Sequence, residues 1–229
     1  MSEKKNVTEV QAGEEAVVKA RDFWAKNSKL IIGIGSVLIL LVGGFFVYKN
    51  LIQKPKEEKA RDAMFKAEEY FRKDSINLAL NGDGQNGGFL RIISRFSGTD
   101  AANLAHYYAG SCYLKLDDNA NAIKHLKKFS TDAKQVQQRA YKLLGDASAD
   151  LGKNADALDY YKKAGRHFED DAVNSAEALY LAAYFADRVM KNQKEAIALF
   201  REIKEKFPNT PRGFDADNYL AQLGEYNVN

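Results

Sequence analysis

Few side chains in this sequence are of the types that perform acid-base or nucleophilic chemistry or bind metals. They are three histidines and one cysteine among 229 residues. An imidazole can serve as a general base or metal ligand, and a thiolate as a nucleophile. His106, however, falls on the core side of a predicted helix, and Cys112 precedes the core residue Tyr113. His125 and His167 lie among lysines and arginines, on the outer side of helices or in turns.

These scattered side chains do not form the pattern of an active site. No combination of serine, histidine and acid, and no pair of carboxylates, stands apart from the general distribution of charge. The single cysteine excludes an intramolecular disulfide and any CxxC site. We therefore predict that the protein is not an enzyme and has no catalytic residues, metal, cofactor or small-molecule substrate.

Charge and glycine content exclude two further classes of ligand. The 34 Lys and Arg against 31 Asp and Glu give a net charge of +3, spread along the chain. That is not the concentrated positive field of a nucleic-acid-binding protein, and we predict no nucleic-acid partner. The glycine-rich stretch 81–88 (NGDGQNGG) lacks both the GxxxxGK[ST] phosphate motif and the acidic pattern of a calcium loop. It predicts a turn followed by the start of a helix.

Self-similarity is the strongest pattern in the C-terminal half. Three segments align from Asn103, Gln138 and Ala176. Their small residues at the eighth position are Gly110, Gly145 and Ala183, those near the twentieth are Ala122, Ala157 and Ala196, and the large residues four positions later are Leu126, Tyr161 and Phe200. Two antiparallel helices approach closely where one presents a small residue beneath a large one. The pattern resembles the tetratricopeptide repeat and predicts a solenoid of helix pairs.

An uncharged run near the N-terminus predicts a membrane span. Residues 30–48, from Leu30 to Tyr48, contain no charged side chain and would form about 28 Å of helix, close to the thickness of a bilayer's hydrocarbon core. Trp24 and Tyr48 flank the run as interfacial aromatics do. Its glycines, which allow close helix approach or are simply tolerated by lipid, are Gly33, Gly35, Gly43 and Gly44. A cleaved signal peptide and a buried core helix are the alternatives.

The fold class that follows is all-α, with one N-terminal transmembrane helix followed by a tetratricopeptide-like solenoid. Thr8 and Gln11 suggest a capping box that opens a short amphipathic helix, the alternative being a frayed tail. Pro55 is expected to break the apolar helix. The predicted divisions are a tail at 1–29, the span at 30–48, a linker helix and degenerate leading repeat at 49–100, three repeats at 101–209 and a capping helix at 210–229.

The orientation of the span is not decided by charge, because residues 1–29 and the 20 residues after Tyr48 each contain six Lys and Arg. The short, polar N-terminal tail favours a cytoplasmic N-terminus with the repeats on the other side of the membrane.

The concave side of such a solenoid predicts a protein-binding groove. In these solenoids it is lined by positions 2, 5, 9 and 12 of each first helix. These positions are Leu104, Tyr107, Ser111 and Leu114 in the first repeat, Arg139, Lys142, Asp146 and Ala149 in the second, and Glu177, Tyr180, Tyr184 and Asp187 in the third. Tyrosines among mixed charges suit an extended peptide or a partner helix. The alternative is an ordinary solvated face, in which Lys142 and Asp146 form a simple i, i+4 pair.

The order of these segments resembles the ancillary subunit of the bacterial Sec translocon. The likeness lies in the charged tail, the junction FWAKNSK, the single span, and a helix of the type KARDAMFKAEEYF before the repeats. The resemblance implies a bacterial inner-membrane protein with a single span and its repeats in the periplasm. It would be a scaffold that binds the translocon, a membrane-tethered periplasmic chaperone and client chains during export. Two alternatives stay open: a generic scaffold for cell division or envelope assembly, and a cytosol-facing receptor with reversed topology. The acidic groove residues argue against the basic clamp of such a receptor.

Overall fold

The computed structural model describes residues 3–225, with side chains from residue 17 onward except at position 31. Helices follow one another along the chain, and the described residues contain no β-strand. The helices are α1 (Glu3–Val47), α2 (Lys54–Arg72), α3 (Ile76–Asn81), α4 (Phe89–Arg95), α5 (Asp100–Lys115), α6 (Asn119–Leu126), α7 (Lys134–Asp150), α8 (Asn154–His167), α9 (Ala172–Arg188), α10 (Gln193–Lys206) and α11 (Pro211–Gln222). The all-α, helix-pair fold class is confirmed.

The chain divides into two compact units, residues 1–55 and 56–229. In the first unit, α1 is one continuous helix, so the expectation of a short tail helix that starts at Thr8 is wrong. The helical run Ile32–Arg72 contains an unburied window with a mean hydropathy of 2.0. By length and composition this is the one helix of the described residues able to cross a membrane, and a signal sequence or a core helix meets the same test.

Pro55 does not end a helix, contrary to the sequence prediction. It lies in the first turn of α2, where a missing backbone N–H is tolerated. The preceding residues, Tyr48–Gln53, form a π-helical segment with wider turns. A wide turn relieves the clash between a proline ring and the carbonyl four residues earlier, which explains why the helical backbone continues past Pro55.

The second unit is built from successive antiparallel helix pairs. The pairs are α5 with α6, α7 with α8, and α9 with α10, while α11 packs on α9 and α10. Gly110 and Gly145 lie where the helices of a pair come closest. A Cβ added at Gly110 would stand 2.5 Å from Leu126 Cγ, and one at Gly145 would stand 2.6 Å from Tyr161 Cδ1. Only a residue without a side chain fits at these two crossings.

A further pair precedes the three repeats. Its first helix is α2, and its second part is divided into α3 and α4 by a glycine-rich turn. Asp83 holds this turn, because its Oδ1 accepts hydrogen bonds from the backbone N–H groups of Gln85 and Asn86 at 2.9 and 2.6 Å. Phe89 and Ile92 of α4 are fully buried against α2 and α5. This leading pair therefore shares one core with the first repeat.

Candidate partner-binding groove

The predicted groove residues lie on the first helices of the repeats, α5, α7 and α9, but the structure gives them different environments. In α5, the ring of Tyr107 is half-buried and contacts Tyr108 and Phe129 at centroid distances of 5.6 and 5.3 Å. Burial raises its pKa, and the charge of Arg139 from α7 opposes that rise. Ser111 is buried and donates its hydroxyl to the Tyr107 carbonyl oxygen. Half-buried Leu104 and Leu114 complete this set.

The middle repeat presents charge that is already paired. Lys142 Nζ lies 2.9 Å from Asp146 Oδ2, and the Tyr161 hydroxyl donates to Asp146 Oδ1 at 3.0 Å. Burial and the Asp146 carboxylate raise the pKa of Tyr161. Arg139 is exposed and Ala149 is half-buried. Asp146 therefore links the two helices of its own repeat and is not free for a ligand.

The groove of the third repeat is filled by α11. The Tyr180 hydroxyl lies 2.9 Å from that of Tyr219, and the Arg212 guanidinium lies 3.6 Å above the Tyr180 ring. Arg212 also donates from Nε and Nη2 to the two carboxylate oxygens of Glu177, at 2.7 and 3.3 Å. Burial and the Tyr219 hydrogen bond raise the pKa of Tyr180 to about 12. We correct the prediction here: Tyr180 and Glu177 bind the capping helix.

Tyr184 and Asp187 lie at the edge of α11. Tyr184 is 46% exposed, with the Arg188 guanidinium 5.9 Å from its ring centre. Asp187 pairs with Arg188 at 2.9 Å. A cavity of about 140 Å³ lies between these residues and Tyr219 of α11. Tyr184 is thus the predicted tyrosine that remains available at the surface.

The open part of the groove lies at the N-terminal end, between α2 and α5. A cavity of about 540 Å³ is bounded there by the residues Glu57, Arg61, Met64, Phe65, Glu68, Asp100, Ala101 and Leu104. Phe65 is 67% exposed, an unusual state for a large aromatic side chain of a folded domain. Of these eight residues, only Leu104 was predicted from the sequence.

A signal for the missed residues was nevertheless present. Arg61, Phe65 and Glu68 repeat the i, i+4, i+7 spacing of Tyr107, Ser111 and Leu114, which places each set on one face of its helix. Ala60 and Ala67, which mark the core face of α2, are fully buried and lie on another side of the helix.

The histidines and the cysteine occupy the core or its margin. His106 and His125 bring their Nδ1 atoms to 3.0 Å, across the pair formed by α5 and α6. His125 is buried, so its predicted position on the outer side is wrong. Cys112 is fully buried, which raises its thiol pKa to about 12. Among the residues that the structure describes, no three His, Cys, Asp or Glu side chains are grouped so as to hold a metal ion.

Comparison with known families agrees with this geometry. Residues 104–133 and 177–210 match the tetratricopeptide repeat family model. Two helix pairs of the chain are therefore similar to tetratricopeptide repeats. The two matches begin within α5 and α9, and each covers a helix pair. The unmatched pair between them, α7 with α8, also has a small residue beneath a large one, at Gly145 and Tyr161. No curated protein matches the chain. Repeats of this kind are scaffolds for protein–protein interaction.

Proposed function

We propose that this protein is a membrane-anchored scaffold that binds a partner protein at the N-terminal end of its groove. The observation that carries the proposal is the cavity between α2 and α5, with Phe65 exposed in its wall. An exposed aromatic beside an open cleft is typical of the centre of a protein-binding site. At the other end of the groove the corresponding space is filled by α11.

The cavity favours a partner segment with an apolar anchor and a basic neighbour. Met64, Phe65 and Leu104 provide the apolar wall. Three carboxylates, those of Glu57, Glu68 and Asp100, line the same cavity beside one guanidinium, that of Arg61. Opposite charge on a partner segment would complement this excess of negative charge.

One side of this cavity is fixed by the fold. Glu57 accepts hydrogen bonds from the backbone N–H groups of Asp100 and Ala101, at 2.8 and 3.0 Å, at the start of α5. The carboxylate therefore holds the N-terminus of α5 to α2 and neutralises the positive end of that helix. A wall fixed in this way lowers the entropy cost of binding, because less of the site must be ordered by the partner.

The proposed setting is protein export at the bacterial Sec translocon, with the repeats in the periplasm. Three features support it: the uncharged run at 30–48, the FWAKNSK junction before it, and the order of span, linker helix and repeats. In this setting the span and tail would hold the scaffold beside the translocon. The groove would receive a membrane-tethered periplasmic chaperone or a client chain.

Site-specific photocrosslinking in intact cells tests the groove. A photoreactive phenylalanine analogue at position 65 is expected to form a discrete crosslink with a partner, whereas the same analogue at position 214 is expected to form none. Phe214 is the matched control, because it is 70% exposed on α11, outside the cavity. Leu104→Ala should remove the crosslink from position 65. Equal crosslinking at positions 65 and 214 would count against a groove site.

A second experiment tests the setting. A reporter fused after Asn229 is expected to be active only in the periplasm, and the full chain is expected to co-purify with the translocon. Replacement of residues 30–48 by an unrelated apolar helix should remove the translocon and leave the crosslink at position 65. A cytoplasmic reporter would favour the receptor with reversed topology. A periplasmic reporter without translocon would favour the generic envelope scaffold.

A further inference from the structure

A second cavity, on a different side of α2 from Phe65, carries an excess of positive charge. It has a volume of about 330 Å³ and lies between α2, the glycine-rich turn and α4. Its charged lining residues are Lys59, Asp62, Lys66, Arg91 and Arg95, four cations and one carboxylate. The volume is within the range of sites for small ligands.

Three of these cations have no carboxylate partner. Lys66 is paired with Glu69 at 2.9 Å, but Lys59, Arg91 and Arg95 form no ion pair with any side chain that the structure describes. Like charges that converge without partners repel one another, and an anion bound among them would relieve that repulsion.

Several cations elsewhere in the repeats differ from these three because they form ion pairs. Five cations that lie between neighbouring elements are paired with a carboxylate: Lys115 with Asp74, Lys162 with Glu195, Arg166 with Glu202, Lys206 with Glu169 and Arg212 with Glu177. The cavity at α2 and α4 departs from that arrangement, although it also lies between elements. What distinguishes this cavity is that three cations without a carboxylate partner among the described side chains line it together.

The glycine-rich turn shapes this cavity. The stem of Arg91 lies against Gly87, where an added Cβ would stand 2.8 Å from Arg91 Cδ. A side chain at position 87 would displace Arg91. The turn is held from α2 as well, because the Tyr70 hydroxyl donates to Asp83 Oδ2 at 2.6 Å. The turn thus has a physical role that the sequence pattern did not indicate.

We propose that this cavity binds a phosphate ester. Two arginines and a lysine suit that ligand, because the planar guanidinium donates in pairs to phosphate oxygens and the ammonium adds charge. The ester can come from an anionic lipid headgroup or from a soluble phosphate compound. Lys59 is close in sequence to Tyr48, the end of the predicted span, so a chain of at most about 40 Å separates the two residues. A lipid headgroup at the end of the predicted span is therefore within reach of Lys59.

The test uses the full chain in non-ionic detergent and four probes. The probes are dihexanoyl phosphatidylglycerol, dihexanoyl phosphatidylcholine, glycerol 3-phosphate and an oligoglutamate peptide, with Kd measured from the shift in melting temperature with probe concentration. Phosphatidylglycerol binding tighter than glycerol 3-phosphate identifies a lipid headgroup as the source. Equal binding of these two identifies a soluble phosphate ester, and both results support the proposal.

Variants determine whether the binding is at this cavity. Substitution of Lys59, Arg91 and Arg95 together by Gln should weaken phosphate binding by about tenfold or more, and each single substitution by less. The matched control replaces Lys127, Lys153 and Lys194 by Gln, three cations elsewhere on the repeats that form no ion pair within the described part of the chain. Helical circular dichroism verifies that each variant is folded.

Four outcomes would overturn the proposal. They are unchanged affinity in the triple variant, an equal loss in the control variant, phosphatidylcholine binding as tightly as phosphatidylglycerol, and oligoglutamate binding more tightly than both phosphate probes. The last would identify an acidic protein segment as the ligand. None of these outcomes bears on the crosslink at position 65, so the two proposals fail separately.

Discussion

The two ends of the solenoid differ in how the first helix of the terminal helix pair is covered. At the C-terminal end, α11 covers the first helix of the third repeat, and Phe200 stacks on Tyr219 at a centroid distance of 4.9 Å. At the N-terminal end, α2 and α5 leave an open cavity beside exposed Phe65. Phe214 on α11 is exposed as well, but it lies outside that cavity, so the two ends differ in the open cavity beside the aromatic ring and not in exposure alone. A terminal repeat needs a cover to remain soluble, and the proposed partner would supply it at the N-terminal end.

The largest expected effect follows from this contrast in burial. Phe200→Ala should lower the free energy of unfolding by about 3–5 kcal/mol, because it removes a buried ring and leaves a cavity under α11. Phe65→Ala should change it by about 0.5 kcal/mol or less, because that ring is mostly exposed. Urea denaturation of the full chain in detergent measures both. Similar losses for the two variants would show that Phe65 is a structural residue.

The next effect tests whether the two ends depend on the repeat between them. Gly145→Leu should destabilise the protein by about 1–3 kcal/mol, because its Cβ alone would stand 2.6 Å from the Tyr161 ring. Each repeat is stabilised by its neighbours, so both ends should lose protection from hydrogen exchange. Gly152→Ala is a local comparison at an open turn, where only backbone strain acts, since nothing stands near its Cβ position. A Gly145→Leu protein that melts like the parent would contradict the assigned helix crossing.

A third effect concerns pH and is confined to the first repeat, next to the open end. Burial, and then the charge of His125, lower the pKa of His106 to about 4, while burial and neighbouring lysines lower that of His125. The unfolded chain, with histidine pKa near 6.5, binds more protons, so stability should fall as the pH falls from about 6.5 towards 4. Because the His106 ring is half-exposed and solvent screens its charge, we reduce the expected loss in the free energy of unfolding to about 1–2 kcal/mol.

Denaturation between pH 7 and pH 5 measures this effect. Carboxylates with lowered pKa, such as that of Glu69 at about 2, protonate below this window and so contribute little to the slope. A double variant with Asn at positions 106 and 125 should show a flatter dependence than the parent. An unchanged slope would assign the pH dependence to other groups.

The smallest effect compares two fully buried serines. The Ser175 hydroxyl accepts a hydrogen bond from Gln138 Nε2 at 3.0 Å and donates one to the Phe168 carbonyl oxygen at 2.9 Å. The Ser148 hydroxyl, by contrast, has no hydrogen-bond partner among the residues that the structure describes. Ser175→Ala should cost about 1 kcal/mol or more, and Ser148→Ala should be neutral or stabilise by up to about 1 kcal/mol. Thermal melts of the two variants side by side provide the measurement. A larger loss for Ser148→Ala would show that its hydroxyl has a partner in solution.

Much of the fold could be predicted because its signals are local in sequence. A small residue at the eighth position of a repeat segment, and a large residue sixteen positions later, specify a helix crossing by size alone, as Gly110 with Leu126 and Gly145 with Tyr161 show. The effect of Pro55 was not predicted correctly, because a proline in a first turn and a proline in mid-helix look the same until the helix boundaries are known.

The candidate site was predicted less well, because availability depends on contacts between elements that are distant in sequence. Tyr180 and Tyr107 occupy equivalent groove positions, yet Tyr180 is covered by Tyr219 and Arg212 from a helix about 30 residues further along the chain. His125 has lysine neighbours in the sequence, yet it turns inward to meet His106.

The sequence by itself determined the helical class, the repeat period, the closest helix crossings and an apolar segment long enough to span a membrane. These properties depend on residue size and hydrophobicity at fixed spacings, which the chain carries without reference to its fold. Only the tertiary structure decided which groove positions are open and which cations lack partners. Both depend on which elements come to lie side by side, and α11 at one end and the glycine-rich turn at the other reach their neighbours only when the solenoid is assembled.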